Sequence, residues 1–155
     1  MTRGAILSNC EKYRFQLWRI WDESKPNVLF IMHNPSTADG NNDDPTIRRC
    51  INFAKAWGYG GMYVGNIFPY RATDPKTLRD VEYITMARPD LNGRHIREMA
   101  DNCELFVLAY GNPCLPYFTP ILPKKEWKAL KLTKAGNPCH PLYLPSKLTP
   151  IIYST

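Results

Sequence analysis

Apolar and polar positions along this chain fall into short runs with two different periods. Residues 28–32, Val-Leu-Phe-Ile-Met, form an unbroken apolar run that gives way to His33-Asn34-Pro35-Ser36-Thr37-Ala38-Asp39. Such a run predicts a strand buried on both faces, the central strand of a sheet, which delivers a polar loop to the sheet's end. In an open α/β sheet that end collects backbone donors, helix N-termini and loop side chains, so a ligand site is expected there. Pro35 removes a backbone donor and biases Asn34 away from helical angles, leaving Asn34, Ser36 and Thr37 to point outward. An ordinary turn after a strand would use the same residue types.

The flanking segments extend this pattern. Residues 12–21 alternate Tyr13, Phe15 and Leu17 with Arg14 and Gln16, which predicts a half-buried first strand near a sheet edge. Asp44 suits an N-cap and Pro45 the first helical position, while Ile47, Cys50, Ile51, Ala54 and Trp57 form an apolar stripe at helical spacing, so a helix is expected from Pro45 to Trp57. Gly58 to Gly61 ends it, and residues 62–68 read as the next strand. A right-handed strand-helix-strand unit makes the two strands parallel and brings Asn34 and Asn66 to one edge.

The later chain is less regular. Thr73-Asp74-Pro75 resembles a helix start and predicts a short helix over 75–82. Pro89 and Gly93 read as breakers before helical character resumes over 94–100, and residues 103–112 form a strand ending in Gly111-Asn112. Prolines at 113, 116, 120 and 123 predict a constrained loop, followed by a short helix or turn over 124–130 and a short strand over 130–132. A short apolar tail, Ile151-Ile152-Tyr153, comes near the end. Taken together, these elements predict one α/β domain over residues 1–155.

Composition narrows the partners. An apolar fraction of 44% supports a folded core, and a formal charge of +6 suits an anionic partner such as DNA or a nucleotide. Five cysteines, odd in number and without a C-x-x-C pair, indicate neither a disulfide framework nor a zinc site, and fit a reducing cytoplasm. No apolar run approaches the roughly 18 residues of a membrane span, so no membrane role is expected. The P-loop, G-x-S-x-G, H-E-x-x-H and G-x-G-x-x-G patterns are all missing, and no cofactor is expected.

Candidate chemistry collects at the predicted strand ends: Asn34, Ser36 and Thr37; Asn66 and Arg71; Gly111 and Asn112; and His140-Pro141 if that segment folds back. An amide can orient a water or read a base edge, an arginine can clamp a phosphate, and a histidine can donate to a developing anion. Turn capping by the asparagines and packing of His140 on Tyr143 are the structural alternatives. Asp39, Asp43 and Asp44 could hold Mg²⁺ or simply cap the helix, and Arg48 and Arg49 could contact phosphate or pair with those carboxylates.

Several motifs are familiar as a set. Asn34-Pro35-Ser36-Thr37-Ala38-Asp39, Asp43-Asp44-Pro45-Thr46-Ile47-Arg48-Arg49-Cys50, Trp57-Gly58-Tyr59-Gly60-Gly61, Asn66-Ile67-Phe68 with Arg71-Ala72-Thr73-Asp74-Pro75, and the 136–145 segment resemble, in order, the motifs of domain of unknown function family 1643 of bacteria and phages. More distantly, the chain resembles the uracil-DNA glycosylase superfamily through Met32-His33-Asn34-Pro35-Ser36, Leu108-Ala109-Tyr110-Gly111-Asn112 and His140-Pro141-Leu142. That resemblance implies a three-layer sandwich around a central, mainly parallel sheet. It also implies that Asn34 positions an attacking water, that Phe68 or Tyr70 stacks on an extruded base, that Asn66 reads its edge and that His140 approaches the sugar or phosphate. Ser36 and Leu142 depart from the glycine and serine of those loops. The function expected is hydrolysis of an N-glycosidic bond in DNA or a nucleotide; the alternative is a non-catalytic module that binds the same ligands in the same pocket.

Overall fold

The computed structural model describes residues 1–72, 88–112 and 121–153. In chain order its elements are β1 (Thr2–Leu7), β2 (Arg14–Ile20), β3 (Asn27–Met32), α1 (Pro45–Ala56), β4 (Gly61–Asn66), α2 (Pro89–Ala100), β5 (Leu105–Leu108), β6 (Trp127–Ala129) and β7 (Ile151–Ile152). The strands form one seven-stranded sheet in the order β1-β2-β4-β3-β5-β6-β7.

The unbroken apolar run lies at the centre of that order. Successive side chains of β3 alternate between faces, and both faces are covered. Val28, Phe30 and Met32 pack with Ile47, Cys50, Ile51 and Ala54 of α1, whereas Leu29 and Ile31 pack with Ile96, Met99 and Ala100 of α2. β3 pairs in parallel with β4 and with β5, in registers that bring Met32 beside Asn66 and Ile31 beside Leu108. The C-terminal ends of these strands therefore share one edge, as the strand-helix-strand reading requires.

The sheet is mixed rather than mainly parallel. β4, β3, β5 and β6 run parallel, but β1 and β2 on one side and β7 on the other join antiparallel. The short link between β1 and β2 permits a hairpin, which β1 completes by placing Gly4 opposite Trp18; a Cβ on Gly4 would collide with that indole. β1 thus covers β2, which is second from the edge and buries its polar residues as well: Arg14, Gln16 and Arg19 are all buried.

Three local expectations also change. α2 begins at Pro89 and runs through Gly93, because proline suits the first helical position and the buried Asn92 bonds the carbonyls of Asn66 and Ile67 across the fold. Residues 127–129 form a strand, since Trp127 packs edge-on against Phe106 and the segment pairs with β5. The apolar tail supplies β7 at the sheet's edge. The helix expected over 75–82 and the proline loop from 113 to 120 lie outside the described residues. Among the described residues, no helix is long and apolar enough to cross a membrane.

Candidate functional site

At the C-terminal edge of β3 and β5 lies a cavity of about 550 Å³, within the usual range for small-molecule sites. Four segments meet there: the loop after β3, the N-terminus of α1, residues 110–112 after β5, and His140 with Leu142. The α1 end is set by its cap: Asp44 adopts an extended backbone, and its carboxylate accepts the Ile47 amide at 2.8 Å. Gly111 holds a φ of +71°, and its amide donates to the Pro138 carbonyl at 2.7 Å, which stitches the C-terminal segment to the end of β5. Arg49 contributes to the same seam, stacking on Phe53 and donating to the Pro141 carbonyl.

Asn34 anchors the first loop. Its Nδ2 donates to the carbonyls of Pro35 at 3.1 Å and Ala72 at 2.8 Å, so its Oδ1 faces His33 Nδ1 at 2.9 Å. That orientation assigns the proton of neutral His33 to Nδ1. On the other side of the cavity's lining, the Leu142 amide donates to His140 Nδ1 at 3.2 Å, which places the proton of neutral His140 on Nε2. Both imidazoles are held below the ordinary histidine range. Burial is the main cause for each; the Asn34 bond opposes it at His33, and at His140 Asp44 opposes it while His33 adds to it.

Arg14 also lines the cavity, at 2% exposure. Its Nη1 donates to the Ala38 carbonyl at 3.1 Å and its Nη2 to Asn66 Oδ1 at 3.4 Å, but its Nε has no hydrogen-bond partner among the described residues. No carboxylate among the described residues forms an ion pair with it. Burial pulls its pKa down to about 10, against the through-space attraction of Asp44.

The cavity thus brings together Asn34, Ser36, Thr37, Gly111, Asn112 and His140, and leaves out Asn66, Phe68, Tyr70 and Arg71. Asn66 is buried beneath it, and its Oδ1 accepts from Arg14. Phe68 is fully buried against His33 and offers no face for an extruded base to stack on. Tyr70 bridges to Tyr13 at the start of β2 and meets its ring edge-on. Arg71 is a brace rather than a phosphate clamp: its guanidinium donates to the carbonyls of Glu11, Ser36 and Thr37. Asn112 lies on the rim, where its Oδ1 accepts from Thr133 and Asn137.

The acidic cluster is accounted for by the loop itself. Asp39 accepts the amides of Asn41 and Asn42, Asp43 pairs with Arg19 at 2.8 Å and Arg3 at 3.2 Å, and Asp44 caps α1. Each carboxylate is turned to a different partner, and no metal-holding group of three occurs among the described residues. Arg48 reaches the Asp43 carbonyl rather than a carboxylate.

Arg14 and His33 are the site residues that the sequence pattern did not single out for a role. Arg14 alternates with aromatic residues and so read as solvent-facing; His33, at the end of an apolar run, carried no signal beyond its neighbour Asn34.

Neither the curated proteins nor the solved structures offer a match to this chain, so the likeness to uracil-DNA glycosylases has no counterpart there. A family model does match, over residues 14–142, a span that includes every segment lining the cavity. The chain therefore belongs to the family described as protein of unknown function (DUF1643).

Proposed function

We propose that the cavity receives a nucleobase-bearing ligand, a nucleotide or a nucleotide unit of DNA, and hydrolyses its N-glycosidic bond. The observation that carries this reading is the presence of Asp44 and His140 on one cavity of nucleotide size. Asp44 Oδ1 is held by the Ile47 amide, which fixes the carboxylate at the cavity while leaving it an acceptor for water. The water oxygen adds to C1′, the C1′–N bond breaks, and its electron pair leaves with the base. Asp44 takes the water's proton and returns it to the departing base. The Nε2–H of His140 donates to the base oxygen on which charge develops, without being transferred. Asn34, expected to orient the water, is a positioning residue in this scheme, since both its N–H groups are on carbonyls. A helix on each face of the sheet and the Asn-Pro and His-Pro loops at one cavity support a glycosylase-like three-layer arrangement.

The test is base release from DNA carrying uracil and other modified bases, read by strand cleavage at abasic sites, together with release from free nucleosides and nucleotides. Asp44→Asn keeps the cap, because asparagine caps as well as aspartate, and is expected to lower release by about 10²-fold or more. No release from any substrate overturns the reading. The engagement of Asn34 favours the second one, a binding module without turnover; it requires binding to DNA or nucleotides that weakens as salt rises.

A further inference from the structure

Ser36 and Thr37 form a partition: both line the cavity, and both line a shallower recess on the other side with Glu11, Lys12 and Arg71. Arg71 fixes how their peptides face. Its Nε donates to the Ser36 carbonyl at 3.0 Å and its Nη2 to the Thr37 carbonyl at 3.2 Å. The described chain has no cis peptide bond, so the N–H of each peptide opposes its carbonyl. The amides of Thr37 and Ala38 therefore turn away from the recess, and neither has a hydrogen-bond partner among the described residues. Successive outward amides of this kind form an anion-binding concavity.

Arg14 adds the charge. Its guanidinium carries five donors, yet among the described residues only the bonds to Ala38 and Asn66 are made, and the buried Nε–H meets no acceptor there. A buried cation is costly unless it is paired. Asp44 is the carboxylate nearest in effect, but its Oδ1 is held by the helix and it makes no ion pair with Arg14.

We propose that this corner of the cavity is a phosphate subsite, in which the Arg14 Nε–H and the amides of Thr37 and Ala38 bind the phosphoryl oxygens, leaving the Nε2–H of His140 to the base. Asp44 then faces a hydroxyl or water of the same ligand rather than its anionic group. The subsite rests on the reading above only for the kind of ligand that brings the phosphate.

The test uses the full chain, labelled with ¹⁵N and titrated with inorganic phosphate. Saturable shifts of the Thr37 and Ala38 amides and of the Arg14 Nε–H are expected. Phosphate shifts confined to exposed lysines overturn the subsite. A nucleoside monophosphate should bind at least about tenfold more tightly than its nucleoside, and Arg14→Lys, which keeps a charge but loses the Nε–H, should remove that preference. Equal binding of nucleoside and monophosphate overturns the proposal even if the Arg14 variant fails to fold. Both remaining arms support it and name the source. Tighter binding of the monophosphate than of a single-stranded oligonucleotide marks a free nucleotide, and the reverse marks a nucleic-acid backbone. Phosphate shifts without base release would keep the subsite and sink the hydrolysis; base release without those shifts would do the opposite.

Discussion

Arg14 and Arg19 stand on the same strand at 2% and 0% exposure, and the protein treats them in opposite ways. Arg19 donates to the Asp43 carboxylate and to the carbonyls of Gly4, Trp18, Asp39 and Asn42, so it ties β1, β2 and the acidic loop into one unit. Arg19→Met leaves Asp43 with only its exposed partner Arg3, and we expect a loss of about 3–5 kcal/mol in urea unfolding. Burial pushes the Asp43 carboxyl up, but the bonds and charges of Arg19 and Arg3 overcome it and hold the group below the ordinary aspartate range. Because the folded-state value is the lower one, its stabilisation is complete above the unfolded value of about 4 and is lost as the pH falls further. Asn34 ties its own loop to Ala72, and Asn34→Ala removes the side-chain donor from the Ala72 carbonyl, one of two donors from the Pro35 carbonyl and the acceptor that faces His33 Nδ1, at a cost of about 1–3 kcal/mol. His33, His95 and His140 all lie below the ordinary imidazole value, chiefly through burial. The unfolded chain therefore binds more protons, and stability should decline as pH drops below about 6.5, a trend that unfolding midpoints across pH would reveal.

Among the elements, α1 was the most legible. Its cap, its first-position proline and its apolar stripe are all local signals, and each is realised as read. The turn beyond it is equally specified. Gly58 adopts a φ of +83°, and Gly60 packs so closely on the Asp22 carbonyl that a Cβ would collide with backbone. Gly60→Ala should cost about 1–3 kcal/mol and displace the start of β4; a matching loss in thermal midpoint checks it. α2, β6 and the outer strands were less legible because their signals are not local. Pro89 marks a start only once a helix follows it, and the burial of Asn92 rests on carbonyls of Asn66, the last residue of β4, and Ile67 just beyond it. β1 is partly exposed and β7 is exposed and only two residues long, so they lack the alternation that marks a strand and exist through pairing with β2 and β6.

At the scale of the molecule, the chain's outer segments complete the sheet. β7 covers the edge of β6, and the Tyr153 amide donates to the Trp127 carbonyl at 3.0 Å. Removing residues from 150 onward should expose β6 as a bare edge, lower the denaturation midpoint and promote self-association, measurable by light scattering. The cavity depends on the same long-range assembly, for the bonds of Gly111 to Pro138 and of Arg49 to Pro141 hold the segment that brings His140 to it. Hydrophobic period, proline placement and cap chemistry in the chain were enough to specify a central buried strand, one helix crossing to a parallel neighbour, and a polar loop at their shared edge. These signals act between residues close in sequence, so they can be read in order. The buried position of Arg14, the bracing role of Arg71, the tautomers of His33 and His140, and the mixed sheet arise from partners distant in the chain. A guanidinium faces solvent, carbonyl or ligand according to what packs around it, and that is settled only once the strands have paired.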